Sequence, residues 1–278
     1  MNILIFIGAT CAMAGCANQA PDAQSMAPTP PKTAPAGIGD VKTGGADFHY
    51  MANGQKMEGY LATTENYSEK KQPGILIVHD WNGLDDHEKD VARRLSRHGY
   101  VVLAIDVYGV GVRPKTVAEC SSESSKYYGN AQLWHERLKA GLDALKSLPN
   151  VDPNRIGAVG YCFGGSAVLE MARKKMPVIA VVSMHGGLVG PSKATSKPIA
   201  SILELHGNAD PMSTPNQVAA FKTEMKSVGA DFRSLGYDGV GHAFAVKGSD
   251  KLGIKGVGYD EGADRWSWDL MLKHFETT

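Results

Sequence analysis

The chain is poor in the features that mark several protein classes. Four cysteines in 278 residues are too few for a disulfide scaffold of this size. Lys+Arg and Asp+Glu both number 29, so the formal net charge is zero and the basic excess of a nucleic-acid binder is missing. No His-x-x-x-His or Cys-x-x-Cys spacing suggests a metal. No Gly-x-Gly-x-x-Gly follows the first core strand, so a dinucleotide cofactor is not expected. There is no internal repeat and no second Pro/Gly linker. What is plentiful is apolar residues, at 43%, and glycine, at 32 residues. The first supports a true core, and the second announces tight turns and close backbone approaches.

The N-terminus reads as an address. Residues 3–14 are an apolar run ending in Met13-Ala14-Gly15-Cys16. A run of roughly a dozen residues suits a signal h-region and falls short of the ~20 needed to span a membrane. Small residues before a cysteine resemble a bacterial lipoprotein signal, with Cys16 the lipidation site. An ordinary cleaved signal and a mis-assigned start are the alternatives. Ala17 follows the cysteine, which points to the periplasmic side of the outer membrane. Residues 17–45 are rich in Ala, Pro, Gly, Thr and Ser, with five prolines from Pro21 to Pro35. Such a segment cannot bury a core and reads as a tether.

From residue 46 to 278 the pattern is one domain of alternating strands and helices. Asn53-Gly54 between Asp47–Met51 and Met57–Thr63 is a hairpin turn. Short apolar runs follow at Ile75–His79, Val101–Ile105, Ile156–Gly160, Val178–Met184 and Ser201–His206, with a further strand at Phe232–Tyr237. Helices are expected at Asp86–His98, Ala131–Leu148, Gly165–Lys175, Pro215–Val228 and Ala263–Phe275. The alternation predicts an α/β fold: a mostly parallel sheet with helices on both faces and an N-terminal antiparallel hairpin.

The sharpest motif is Gly160-Tyr161-Cys162-Phe163-Gly164-Gly165, between a strand and a helix. Gly-x-nucleophile-x-Gly is the strand-to-helix elbow of α/β-hydrolases. Its strained turn demands tiny neighbours at Gly160 and Gly164, and Gly165 lets the helix approach the sheet. Cys162 is the nucleophile, and its place at a helix N-terminus favours the thiolate. A thiol nucleophile needs a base, and the base an orienting group. Asp210 and His242 both lie just past strands, where open α/β sheets place their sites. They follow Cys162 in the chain order of this fold. The elbow also makes the Phe163 N–H an oxyanion donor. Of the other eight histidines, His79, His185 and His206 end strands at the same rim, with structural roles favoured. His49, His87, His98, His135 and His274 read as surface or packing residues.

The motifs Val78-His79-Asp80-Trp81-Asn82-Gly83, Asp106-Val107-Tyr108-Gly109, the elbow, His206-Gly207-Asn208-Ala209-Asp210 and Gly241-His242-Ala243-Phe244 together resemble the dienelactone hydrolase family. The resemblance spans roughly residues 46–278. It implies a Cys162–His242–Asp210 triad and a second oxyanion donor at the Trp81 N–H. It also implies that Asp80 modulates the resting thiol, where the family has a glutamate. Members acting on dienelactones carry an arginine four residues after the triad histidine; here that place is Val246, beside Lys247. Arg113 and Arg137 could supply positive charge, with helix-surface roles the plainer reading. The overall pattern, including Ala263–Trp268 near the end, looks closest to family members of undefined substrate.

The expected activity is hydrolysis of a small ester or lactone through an acyl-thioester, with no cofactor. Thioester hydrolysis and a non-catalytic envelope-binding module on the same scaffold are the alternatives. The partners expected are small molecules, and a membrane only through the N-terminal lipid. A disulfide between Cys120 and Cys162 would abolish the chemistry.

Overall fold

The computed structural model describes residues 43–64 and 71–278. The signal, Cys16 and nearly all of the tether lie outside them. Among the described residues no helix is long and apolar enough to cross a membrane.

Strands β1 (Thr43–Ala52) and β2 (Gln55–Thr64) form the hairpin, closed by Asn53 and Gly54 at φ of 48° and 77°. Two consecutive positive φ values are what a tight two-residue hairpin requires, and Asn-Gly supplies them cheaply. The strand begins at Thr43, so the last residues assigned to the tether already belong to the sheet. Then follow β3 (Gln72–Val78), α1 (Asp86–Ser96), β4 (Val101–Ile105), α2 (Val117–Tyr128), α3 (Ala131–Lys146), β5 (Val151–Tyr161), α4 (Phe163–Arg173), β6 (Ala180–Met184), β7 (Ser201–Gly207), α5 (Pro215–Ser227), β8 (Phe232–Tyr237), a short 3₁₀ turn (Ser249–Leu252) and α6 (Glu261–Glu276). The sheet order is β1-β2-β4-β3-β5-β6-β7-β8. Pairing is antiparallel from β1 through β4 and parallel from there to β8.

Strand β3 shows how the sheet divides the core. Leu76 and Val78 face one layer with Trp134, Leu138 and Phe163 of α3 and α4. Ile75 and Ile77 face the other, with Val91 and Leu95 of α1 and Met271 of α6. Both faces are buried, which is why the parallel strands read as unbroken apolar runs.

Helix α2 is the element the sequence reading left out. It buries only Cys120, Ser124 and Tyr127, too thin an apolar stripe for periodicity to reveal. Its legible signal was the capping box, Thr116 with Glu119, whose side chains satisfy each other's backbone N–H. The boundaries of β5 and α4 also differ: β5 starts at Val151 and α4 at Phe163, two residues before Gly165.

Candidate active site

Five strand ends converge. Asp80 follows β3, Cys162 follows β5, His185 follows β6, Asp210 follows β7 and His242 follows β8. All lie at carboxyl ends, where parallel strands leave a crevice.

The elbow is strained as its sequence implied. Cys162 holds φ 49° and ψ −107° at the head of α4. A Cβ on Gly160 would lie 2.0 Å from Gly164 O, and one on Gly164 would lie 2.1 Å from Val78 O. A Cβ on Gly165 would lie 2.7 Å from Gly186 Cα. Backbone presses on all three positions, so no side-chain movement could make room. The Cys162 N–H is shared between Met184 O at 3.0 Å and His185 Nδ1 at 3.2 Å.

The structure brings Cys162, His242 and Asp210 together. His242 Nε2 lies 3.1 Å from Cys162 Sγ, and His242 Nδ1 lies 2.8 Å from Asp210 Oδ2. A carboxylate can only accept, so Nδ1 carries the proton and Nε2 offers its lone pair to the thiol. Asp210 is fixed in turn, because its Oδ1 accepts the Met212 N–H at 2.7 Å. The His242 backbone is held by Gly256 O and by the Gly258 N–H. Asp210 and His242 are both buried.

Asp80 is the fourth member of the cluster. Its carboxylate accepts a hydrogen bond from the Cys162 thiol and another from the Trp81 N–H. The thiol therefore has one proton and two acceptors, Asp80 and His242. Burial pushes the Cys162 thiol well above its ordinary range. The Asp80 charge and hydrogen bond add to this, and the Phe163 N–H opposes it. The thiolate bias expected of the helix N-terminus is thus outweighed, since desolvation and a neighbouring anion both disfavour a second negative charge. Burial also pushes the Asp80 carboxyl up, against the Trp81 N–H, His242 and the thiol. In this arrangement both oxyanion candidates are engaged: the Phe163 N–H with Cys162 and the Trp81 N–H with Asp80.

The Asp80–Trp81 segment is tied at every polar backbone group. Asp80 N–H donates to Glu88 Oε1 at 3.1 Å, and Asp80 O accepts His79 Nδ1–H at 2.6 Å. Trp81 O accepts the Tyr108 hydroxyl at 3.0 Å. His79 Nε2 accepts the Val107 N–H at 3.1 Å, which sets its tautomer, and burial keeps its ring neutral. Glu88 also caps α1 by accepting the Asp85 N–H. Sequence reasoning missed Glu88 and Tyr108 as supports, while His185 takes the structural role expected of it, at the Cys162 N–H. For Glu88 the signal was present, in Asp85-x-x-Glu88 at the head of a helix.

The remaining histidines take structural places. His206 pairs with Glu204, His135 with Glu170, and His274 with Ser201 O. His87 stacks edge-on against Tyr161. Neither arginine fills the helix-surface role. Arg137 is buried and donates to Ala52 O and Gln55, away from the crevice. Arg113 lies in the loop before α2 and borders the crevice, with its guanidinium turned onto Val112 O, Gly109 O and Asp106. Cys120 and Cys162 are free thiols that line the same cavity, so no disulfide joins them in this structure. That cavity has a volume of about 560 Å³ and is bordered by Asp80, Trp81, Cys162, His242, Val246 and Lys247 among others. Among the described residues no group of three His, Cys, Asp or Glu side chains is placed to hold a metal.

The chain resembles proteins of known name across nearly the whole described region. A dienelactone hydrolase-like promiscuous phosphotriesterase from metagenomic libraries superposes with a TM-score of 0.80 at 32% identity, covering 84% of this chain and 98% of that one. A Salmonella typhimurium protein provisionally named carboxymethylenebutenolidase is 26% identical over 273 residues, 92% of this chain and 94% of its own length. A Bradyrhizobium protein provisionally named a 2-oxo-3-(5-oxofuran-2-ylidene)propanoate lactonase is 28% identical over 207 residues, 69% of this chain and 80% of its own. The shared architecture is the α/β-hydrolase fold. The model of the dienelactone hydrolase family matches residues 57–278. With these matches, the chain belongs to the dienelactone hydrolase family.

Proposed function

We propose that Cys162, His242 and Asp210 hydrolyse the ester or lactone bond through a covalent acyl-thioester. The observation that carries this reading is the hydrogen-bonded line from Sγ to Nε2 at 3.1 Å and from Nδ1 to Asp210 at 2.8 Å. Nucleophile, base and orienting carboxylate in that order are the parts covalent acyl transfer requires.

Resting and reacting states differ in who holds the thiol proton. At rest Asp80 shares it with His242 and also occupies the Trp81 N–H. A substrate carbonyl that enters between Trp81 and Phe163 competes for both backbone donors. When Asp80 releases the Trp81 N–H, that donor and the Phe163 N–H converge on the carbonyl oxygen. His242 Nε2 takes the thiol proton, and Sγ attacks the carbonyl carbon. A C–S bond forms, and the carbonyl π pair moves onto oxygen. Each oxyanion donor contributes about 3 kcal/mol to such a transition state.

Collapse of the tetrahedral species breaks the C–O bond, and His242 protonates the leaving alkoxide. In a lactone that alcohol stays tethered to the acyl group. Water then attacks the thioester carbon while His242 accepts its proton. The C–S bond breaks, the acid leaves and the thiol is restored. Asp210 orients the ring throughout and stabilises its charged form.

The test is Cys162→Ala assayed on p-nitrophenyl acetate. Turnover should fall by at least ~10³-fold, as when a covalent nucleophile is removed. Undiminished hydrolysis by pure, folded variant would overturn the assignment.

A further inference from the structure

The cavity beside Cys162 is one-sided in its chemistry. Pockets are mostly apolar in general, but here the apolar surface continues to the mouth. Val117, Met212 and Leu252 are 48%, 42% and 47% exposed, and all three border this cavity. They come from three separate elements: α2, the loop after Asp210, and the 3₁₀ turn. Exposed apolar side chains scattered singly mean little, whereas a cluster that rims a cleft marks a contact site. Deeper in, Trp81, Val246 and Ile254 extend the same surface.

Arg113, the half-buried cation bordering the cavity, is already committed. Arg113 donates to Val112 O at 2.8 Å and to Gly109 O at 3.3 Å, with Asp106 at 3.5 Å and Glu58 at 3.8 Å. Lys115 and Lys247 border the cavity as well, but both are exposed to solvent rather than buried in it. Two further carboxylates, Asp80 and Asp85, line the cavity itself. An anionic substituent would find no uncommitted buried cation there and would face two carboxylates. Burying a charge without a partner is costly.

We infer that the site takes a neutral ester or lactone bearing an apolar chain or ring larger than acetyl, seated against Trp81, Val246, Leu252 and Ile254. This inference rests on the hydrolase reading of Cys162 and specifies its substrate class. Val246 and Leu252 are the residues that set the preference.

The experiment measures lactone opening by pH-stat with the full chain. Three δ-lactones are compared: the unsubstituted ring, the ring with a butyl chain, and the ring with a 3-carboxypropyl chain. Each buried methylene should raise kcat/KM about fourfold. The butyl lactone should therefore exceed the unsubstituted one by at least tenfold, and the carboxylated lactone by a similar factor. Leu252→Asp should narrow the butyl advantage at least threefold; Leu252 is exposed, so a charge there leaves the fold intact. Val246→Asp should do the same from deeper in the cavity. Equal or better opening of the carboxylated lactone, or no gain from the butyl chain, overturns the inference. So does turnover of p-nitrophenyl acetate with none of the lactones opened. Failure to hydrolyse any substrate, p-nitrophenyl acetate included, instead overturns the hydrolase assignment on which the inference depends.

Discussion

Asp80 accepts the Cys162 thiol and the Trp81 N–H with the same carboxylate. One side chain thus disfavours the Cys162 thiolate and occupies the Trp81 backbone donor beside it. In the proposed mechanism that donor would serve the substrate's carbonyl oxygen. The proposed mechanism therefore couples substrate entry to thiol activation, because both require Asp80 to let go.

The first prediction concerns this coupling. After burial, the Asp80 charge is the largest cause of the raised Cys162 pKa. Removing a negative neighbour lowers a thiol pKa, so Asp80→Asn should increase the thiolate fraction at neutral pH. Iodoacetamide alkylation of Cys162 should then be faster at pH 7, with its rate profile moved toward lower pH. Asp80→Glu retains the charge and should keep the profile alkaline. An Asp80→Asn profile that coincides with that of the unaltered protein would refute the coupling.

Glu88 is predicted to matter more than a helix cap usually does. It accepts the N–H groups of both Asp80 and Asp85. Glu88→Ala leaves a buried donor unpaired beside the site, at a cost of about 1–3 kcal/mol. The melting temperature should drop by roughly 2–10 °C. The turnover number should fall as well, because the Asp80–Trp81 peptide is no longer tied. Glu88→Gln retains one acceptor and should recover part of both losses. Unchanged melting and turnover in Glu88→Ala would remove Glu88 from the support of the site.

The elbow glycines offer a stability test. A methyl on Gly164 would meet Val78 O at 2.1 Å and His79 O at 2.7 Å. Relief requires parting α4 from β3, the strand that leads into Asp80. Gly164→Ala should therefore cost more than ~3 kcal/mol, at the severe end for single substitutions. Gly44→Ala, where nothing lies within 4 Å, serves as the control and should melt like the parent. A Gly164→Ala protein that melts within a degree of the control would contradict the packing described for the elbow.

Much of the molecule was readable in its sequence, because the relevant signals are local. Asn53-Gly54 specifies its hairpin through two positive φ values. Val101–Ile105 reads as a strand buried on both faces and is one. The flanking glycines mark Cys162 as the residue in the strained turn. Helix α2 escaped notice because its buried residues are few and two of the three are Cys and Ser, which periodicity does not register.

The sequence by itself determined the alternation of elements, the elbow and the residue types that could serve it. Each follows from turn chemistry or side-chain period over a few neighbouring residues. Only the tertiary structure decided which of those residues meet. His242 reaches Cys162 across 80 positions because β5, β6, β7 and β8 lie side by side and end at one rim. The same packing turned Arg113 onto its own loop and set Asp80 between the thiol and Trp81. It also gathered Val117, Met212 and Leu252 at one mouth. Strand order and burial govern these relationships, and both depend on contacts between segments far apart in the chain.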